Sequence, residues 1–409
     1  MAIRDLVIHS QLIPPNPRKG VLYRARLIER LCAVYDFPLT IVQAGTGHSK
    51  TTTLAGFAGQ ADNLFWYTIT EPDRDPLLFL AHLISAFNQS GFALGEPALQ
   101  ALEENGGRVT PTALTPLMNR LTTGLPDPSV LVLDDFHLVS NVPLILSLVE
   151  RLVDYAPRQL HVVLATRQMP QFPSGALTRW QAKNQLLLLK RGDLAFTPVE
   201  IEALFLEHYG LPITTEQVQA LAVETEGWAI ALQVIWQSLK SGAVDSVDEV
   251  LHRLPETLES LFSYLAQDVL ARLPHHEQNF LLTSSVLRQL TGAACDALLG
   301  LQGSEHTLNR LVDRGLFLLP VGEGDAARPG KSYRYQHLFH DFLLAQLARD
   351  PARARRLHRQ AAAYFEANQQ LEETIHHLLA AEDFDQAAGQ IERIGNNLIQ
   401  SGRLDSLVG

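Results

Sequence analysis

Between residues 38 and 189, five short aliphatic and β-branched runs alternate with stretches of helical spacing. This alternation restricts the fold more than any other feature of the chain. The runs are Pro38–Gln43, Asn63–Thr68, Ser129–Leu133, Gln159–Thr166 and Gln185–Leu189. Val130–Leu133 and Val162–Leu164 are apolar without a break, as strands covered on both faces are. Leu77–Phe87 and Pro143–Val153 space their apolar residues as helices do. The pattern predicts an α/β core, a parallel sheet with helices on both faces.

The flanking segments read differently. Residues 10–20 hold three prolines and a glycine, which predicts an extended lead. Tyr23–Tyr35 follows as a helix with Leu27, Leu31 and Val34 on one face. Beyond Leu189 the strand signal fades. Thr197-Pro198-Val199-Glu200 is a capping box with proline at the first helical position, and helices dominate from there. The exception is Arg314–Tyr335, where two short apolar or aromatic runs flank a Gly/Asp/Pro loop and predict a hairpin. Helices followed by a hairpin suggest a winged-helix unit. The last stretch carries amphipathic helices resembling the first units of a helical repeat. The expected divisions are a core over 1–195, a helical lid over 196–255, a winged helix over 256–345 and a helical linker over 346–409. The chain stops in an apolar-periodic, uncapped segment, so it is expected to be the N-terminal part of a longer protein.

Charge and cysteine content narrow the function classes. Lys plus Arg is 33 and Asp plus Glu is 44, a net charge of −11. That balance argues against a chain that coats nucleic acid or an anionic membrane over its whole surface. Two cysteines, Cys32 and Cys295, exclude a disulfide scaffold and a four-cysteine zinc site; both are expected as core thiols. No apolar run is long enough for a membrane span, and the N-terminus lacks the layout of a secretory signal. A cytoplasmic protein is expected. The pairs His275-His276 and His376-His377 are expected to be solvated, and Trp228 to pack a helix.

The most informative segment is Thr40-Ile41-Val42-Gln43-Ala44-Gly45-Thr46-Gly47-His48-Ser49-Lys50-Thr51-Thr52. A buried strand ends, small residues follow, and Lys-Thr opens a helix. In this layout backbone N–H groups curl around a β-phosphate, Lys50 bridges the β- and γ-phosphates, and the Thr51 hydroxyl holds Mg²⁺. Residues 45–52 are thus the candidate nucleotide contacts. The strict pattern is broken by Ala44 at its first glycine and Ser49 at its second. A left-handed backbone at Ser49 would strain the loop by ~1 kcal/mol. A rival reading, Ser49 as the nucleophile of a hydrolase elbow, fails because Thr51 stands where that turn needs glycine.

Two further strand ends support the nucleotide reading. Val130-Leu131-Val132-Leu133-Asp134-Asp135-Phe136-His137 ends in paired carboxylates. The first acid would serve the Mg²⁺ shell and the second would orient the attacking water. Leu164-Ala165-Thr166-Arg167 puts Arg167 at the carboxyl edge of the sheet, where it can meet a γ-phosphate.

These motifs, in this order, resemble the STAND class of signal-transduction NTPases, and within it the MalT/LuxR-type large ATP-binding transcriptional regulators. The segments that carry the resemblance run nearly the whole chain. They are Leu12–Pro15 with Val21–Leu31, Phe65–Thr68 with Asp73–Pro76, Leu133–His137, Leu164–Arg167, Thr225–Ala229, Tyr333–Leu343 and Ser401–Leu404. The resemblance implies a switch: ADP held in a closed resting state, then ATP and self-association after an inducer binds a C-terminal repeat domain; Asp135, one methylene shorter than glutamate, predicts slow hydrolysis. The resemblance also places Arg24 at the nucleotide edge and His337 near the phosphates, next to Gln336, where relatives often carry a histidine. DNA would be read only through a domain that this chain does not include, and no membrane partner is implied. The alternative is a degenerate NTPase that serves as a protein-interaction scaffold without turnover.

Overall fold

The computed structural model describes residues 3–15, 22, 24–88, 92–240, 246–252, 270–271, 273–314, 316–321 and 331–400, with 393–400 by backbone alone. The chain falls into two compact units, Met1–Val223 with Gly227–Leu232, and Glu224–Glu226 with Gln233–Gly409.

In the first unit all five expected strands form, with ends shifted by at most one residue. They are β1 (Leu39–Gln43), β2 (Leu64–Thr68), β3 (Ser129–Asp134), β4 (Leu160–Thr166) and β5 (Leu186–Leu189). All pair in parallel, in the order β2-β3-β4-β1-β5. Alternate side chains feed two separate cores, as the pleat requires. Ile41, Tyr67, Leu133 and Leu164 join helices Pro76–Ala86 and Pro143–Tyr155 on one face. Val42, Trp66, Val132 and Ala165 join helices Ala25–Cys32 and Lys50–Ala58 on the other. Each fully buried large side chain contributes about 2 kcal/mol at most, because the unfolded chain already shields part of it. These two layers fix where the strand ends lie.

The capping box at Thr197 forms: its hydroxyl accepts from Glu200 N at 3.3 Å, and the Glu200 carboxylate accepts from Thr197 N at 3.0 Å. The leading helix is shorter than expected, Ala25–Cys32 followed by a 3₁₀ turn to Asp36. Tyr23 and residues 16–20 of the proline-rich lead lie outside the described residues. Cys32 corrects its expectation: it is exposed, whereas Cys295 is buried. Cys32 closes an amphipathic helix whose inward positions are Leu27, Ile28 and Leu31.

The second unit holds helices His275–Ser284, Gly292–Leu299 and Ser304–Asp313, and an antiparallel sheet of β6 (Leu290–Thr291), β7 (Leu318–Val321) and β8 (Ser332–Tyr335) in the order β6-β8-β7. The expected hairpin is β7–β8; β6, only two residues long, carries no sequence signal of its own. Tyr335 is buried and its hydroxyl meets Ser284 Oγ at 2.7 Å. The buried carboxylate of Glu277 accepts from Arg314 at 2.6 and 2.8 Å. Residues 256–269 of the expected winged-helix span, and Ser401–Leu404, lie outside the described residues.

Helices Pro351–Ala367, Leu371–Ala380 and Phe384–Gln400 then pack in sequence. His377 overturns the expected solvated pair. It is fully buried, lies flat on Phe365 and meets His358 nitrogen to nitrogen at 2.9 Å. His377 shares the buried face of its helix with Thr374 and Leu378. Among the described residues no helix is long and apolar enough to cross a membrane.

Candidate nucleotide-binding site

The loop between β1 and helix Lys50–Ala58 is held from three sides. Ala44 N donates to Thr166 O at 3.2 Å, tying the loop to β4. Trp228 Nε1 donates to Thr46 O at 3.0 Å, and Ile230 N donates to Gly47 O at 3.2 Å. Trp228 is therefore more than a packing residue: it is buried and bonded to the loop. Gly47 has φ +74°, and a Cβ there would stand 2.6 Å from Ile230 Cγ2. Two independent constraints thus demand glycine.

Ser49 caps the helix in the left-handed region, φ 54° and ψ 26°. The strain considered from the sequence is present, and Thr53 N donates to Ser49 O at 2.9 Å to begin the helix. A left-handed backbone at a serine costs the loop ~1 kcal/mol. His48 lies beside Trp228, with its Nδ1 3.1 Å from Thr46 O. Burial, then the charge of Arg191, pulls its pKa down to about 3, so the ring is neutral.

Lys50 is buried and donates to the loop's own carbonyls, Ala44 O at 2.7 Å and Gly45 O at 3.1 Å. Burial, followed by repulsion from Arg167, lowers its pKa to about 8. The Thr51 hydroxyl donates to Asp134 Oδ2 at 2.8 Å. That contact joins the helix after β1 to the end of β3 although β4 lies between the two strands. Burial, then the adjacent Asp135 charge, raises Asp134 to about 6. A threonine hydroxyl and a buried carboxylate at this spacing are hard oxygen donors of the kind Mg²⁺ takes.

Asp135 also has a left-handed backbone, φ 55°, and its N–H donates to Asp134 Oδ1 at 3.0 Å. Arg167 leaves β4 between loop and acids, close enough for its charge to depress both Lys50 and His137. The structure thus gathers Lys50, Thr51, Asp134, Asp135 and Arg167 at one edge of the sheet. His137, which was not singled out as a site residue from the sequence, lies among them.

Arg24 has other partners. Its guanidinium donates to Leu194 O at 2.8 Å, Ala195 O at 2.7 Å and Glu200 Oε2 at 2.9 Å, and lies 3.9 Å over the Phe196 ring. His337 belongs to the second unit. Its backbone N–H donates to Glu226 at 3.1 Å and its ring faces Glu224 at 3.5 Å. The Gln336 amide beside it is buried, with no hydrogen-bond partner among the described residues.

Residues 266–355 match the MalT winged helix domain. The chain is 28% identical over 385 residues to the HTH-type transcriptional regulator MalT of Klebsiella pneumoniae strain 342, covering 92% of this chain and 41% of that protein. The chain is MalT-like. The MalT of Serratia proteamaculans is 29% identical over 384 residues, again 92% of this chain and 41% of the relative. The MalT-like region is also shared with the serine/threonine-protein kinase PknK of Mycobacterium tuberculosis H37Rv, 29% identical over 400 residues, 97% of this chain and 35% of that protein. The chain therefore spans 35–41% of the length of these relatives. Among solved structures, the Walker-type ATPase PABY2304 of Pyrococcus abyssi aligns with a TM-score of 0.54 at 13% identity, over 81% of this chain and 99% of that one. The fold is that of a P-loop ATPase with a MalT winged helix and a helical C-terminal region, as the motifs led us to expect.

Proposed function

We propose that this chain is the nucleotide-operated part of a MalT-like regulator, binding ATP and ADP with Mg²⁺ and hydrolysing ATP slowly. The observation that carries this reading is the 2.8 Å contact of Thr51 with Asp134 beside the buried Lys50. Residues 45–52 cradle the phosphates, and Lys50 exchanges its two carbonyl partners for phosphate oxygens. Thr51 and Asp134 hold Mg²⁺, which when bound neutralises phosphate charge. Asp135 orients the attacking water and Arg167 meets the γ-phosphate. The family resemblance adds His337 as a phosphate contact in the closed state. A carboxylate one methylene shorter than glutamate suits slow turnover, as a timer needs.

Two relatives named for different outputs, a protein kinase and an HTH-type regulator, match this same region at similar identity. That supports a control module whose output lies elsewhere in the protein. Transcriptional regulation, an inducer acting through a repeat domain, self-association in the ATP state and a cytoplasmic location follow the MalT side of the resemblance. The scaffold alternative draws only on Ser49.

The test is calorimetric titration of the chain with MgATP and MgADP, after chromatography of any nucleotide released on denaturation. Wild-type protein is expected to bind both. Lys50→Ala should abolish binding and leave the circular dichroism unchanged. Equal affinity in the variant would remove the site assignment, and a wild-type chain that binds neither would favour the scaffold.

A further inference from the structure

We propose that His137 is a positioning residue for Asp135, its ring N–H holding the carboxylate that orients the attacking water. The inference rests on the nucleotide reading above and adds a residue to it.

His137 sits in the 3₁₀ turn Phe136–Leu138 just after β3. Its Nδ1 lies 3.7 Å from Asp135 Oδ1, and that nitrogen is buried without a hydrogen-bond partner among the described residues. The turn is fixed from behind: Ser140 Oγ donates to His137 O at 3.0 Å, and Gln168 Nε2 from the segment after β4 donates to Ser140 Oγ at 2.9 Å. The ring therefore has little freedom while the carboxylate, with a side chain 36% exposed, has more.

The tautomer follows from the neighbours. With the proton on Nε2, the Nδ1 lone pair would face a carboxylate oxygen, and two acceptors would oppose each other. With the proton on Nδ1, a buried donor meets the acceptor it lacks once the gap closes by less than 1 Å, a movement of the size by which catalytic hydrogen bonds tighten when substrate binds. Burial, Arg167 and Lys50 keep the ring neutral, so His137 acts as a donor and not as a counter-ion. During hydrolysis the water oxygen bonds to the γ-phosphorus. The bond from that phosphorus to the β,γ-bridging oxygen breaks, with its electron pair staying on ADP, and the water proton leaves through Asp135 to solvent. His137 keeps its own proton throughout.

The experiment compares wild type, His137→Phe and His137→Asn in MgATP turnover, and records histidine ¹⁵N spectra of the resting wild-type chain. Asparagine can place an amide N–H where Nδ1–H stands. His137→Phe should lower kcat at least tenfold with KM within about twofold, as loss of orientation does, and His137→Asn should recover most of the loss. The His137 signal, assigned by its absence from the variants, should show the Nδ1–H tautomer. A full kcat in His137→Phe, equal losses in both variants, or an Nε2–H tautomer overturns the proposal alone. A wild-type chain that neither binds nor hydrolyses ATP overturns the nucleotide reading and this role with it. The spectrum of the wild-type chain decides the matter should a variant fail to fold.

Discussion

The Thr51 hydroxyl and the Asp134 carboxylate meet at 2.8 Å although their strands, β1 and β3, are separated by β4. Helix Lys50–Ala58 follows β1 after the loop of residues 44–49, and β3 runs one residue past its pairing with β4 to bring Asp134 level with the helix start. The contact places a carboxylate that is 1% exposed next to a second acid, an arrangement that is poor for stability and good for a cation.

Asp134→Asn tests that trade. The folded chain holds the Asp134 pKa up, at about 6, above its unfolded value. Such a group stabilises the fold at pH below the unfolded pKa and loses that contribution as pH rises through about 6. At pH 7.5 the charged carboxylate is therefore a burden. The asparagine variant should be more stable without nucleotide by about 1–2 kcal/mol, read as a higher denaturation midpoint. It should also lose the Mg²⁺-dependent part of ATP affinity. A variant that is less stable at pH 7.5 and more stable at pH 4 would reverse the sign argued here.

Gly47 and Ile230 give a second prediction. Gly47→Ala puts a Cβ 2.6 Å from Ile230 Cγ2 and strains a φ of +74°. The variant should lose about 2 kcal/mol, part from the clash and about 1 kcal/mol from the backbone. Ile230→Ala removes the 2.6 Å approach and leaves its Cβ at 3.0 Å, Trp228 Nε1 at 3.1 Å and the backbone strain. The double variant should be more stable than the sum of the two single losses by about 1 kcal/mol. Additive losses in a thermal double-mutant cycle would show that the two residues do not press on each other.

Arg24 is expected to matter for stability first. Burial works against the charge of Glu200, yet hydrogen bonds from Arg24 and Arg26 hold that carboxylate down at about 2. Arg24→Met would leave Glu200 with Arg26 and the Thr197 N–H and take this donor from Leu194 O, while Ala195 O keeps Arg26. The loss should be about 3 kcal/mol, while the ATP affinity of the folded fraction stays within about threefold. A stable variant with a tenfold weaker affinity would return Arg24 to the nucleotide edge.

The sheet was legible because each strand is an apolar run, and covered strands can be little else. Lys50, Thr51 and Asp134 were legible because their strand-end context is as informative as their identity. What was not legible depended on tertiary neighbours. The donation of Trp228 to Thr46 spans 182 residues, and nothing local marks a tryptophan as bonded rather than packed. His137 follows two acids whose chemistry drew attention first. The buried His82–Asp73 contact at 3.1 Å joins a helix to the turn after β2; from the sequence those two residues are only a histidine on an apolar helix and an acid in a loop.

The histidines of the C-terminal helices give the last prediction. His377 is fully buried, stacked on Phe365 and bonded to His358. Burial, then the nearby His358, His376 and Arg288, pulls its pKa down to about 3. The charged groups facing it from the packed elements are these three and, beside His376, Glu373. A neutral buried histidine contributes stability above its unfolded pKa near 6.5 and loses it as pH falls toward 3, at up to about 1.4 kcal/mol per pH unit for one proton. Helices Pro351–Ala367 and Leu371–Ala380 should therefore loosen between pH 6.5 and 5, before the sheet does. Hydrogen exchange at the two pH values reads this as lower protection factors for amides in 351–380 at pH 5, each rate being referred to the slower intrinsic exchange at that pH. His377→Phe keeps the aromatic stack and removes the most strongly lowered of three histidines, so the loss of protection should be shallower than in wild type, with His358 and His376 supplying the remainder. An equally steep loss in the variant would assign the acid sensitivity to another group.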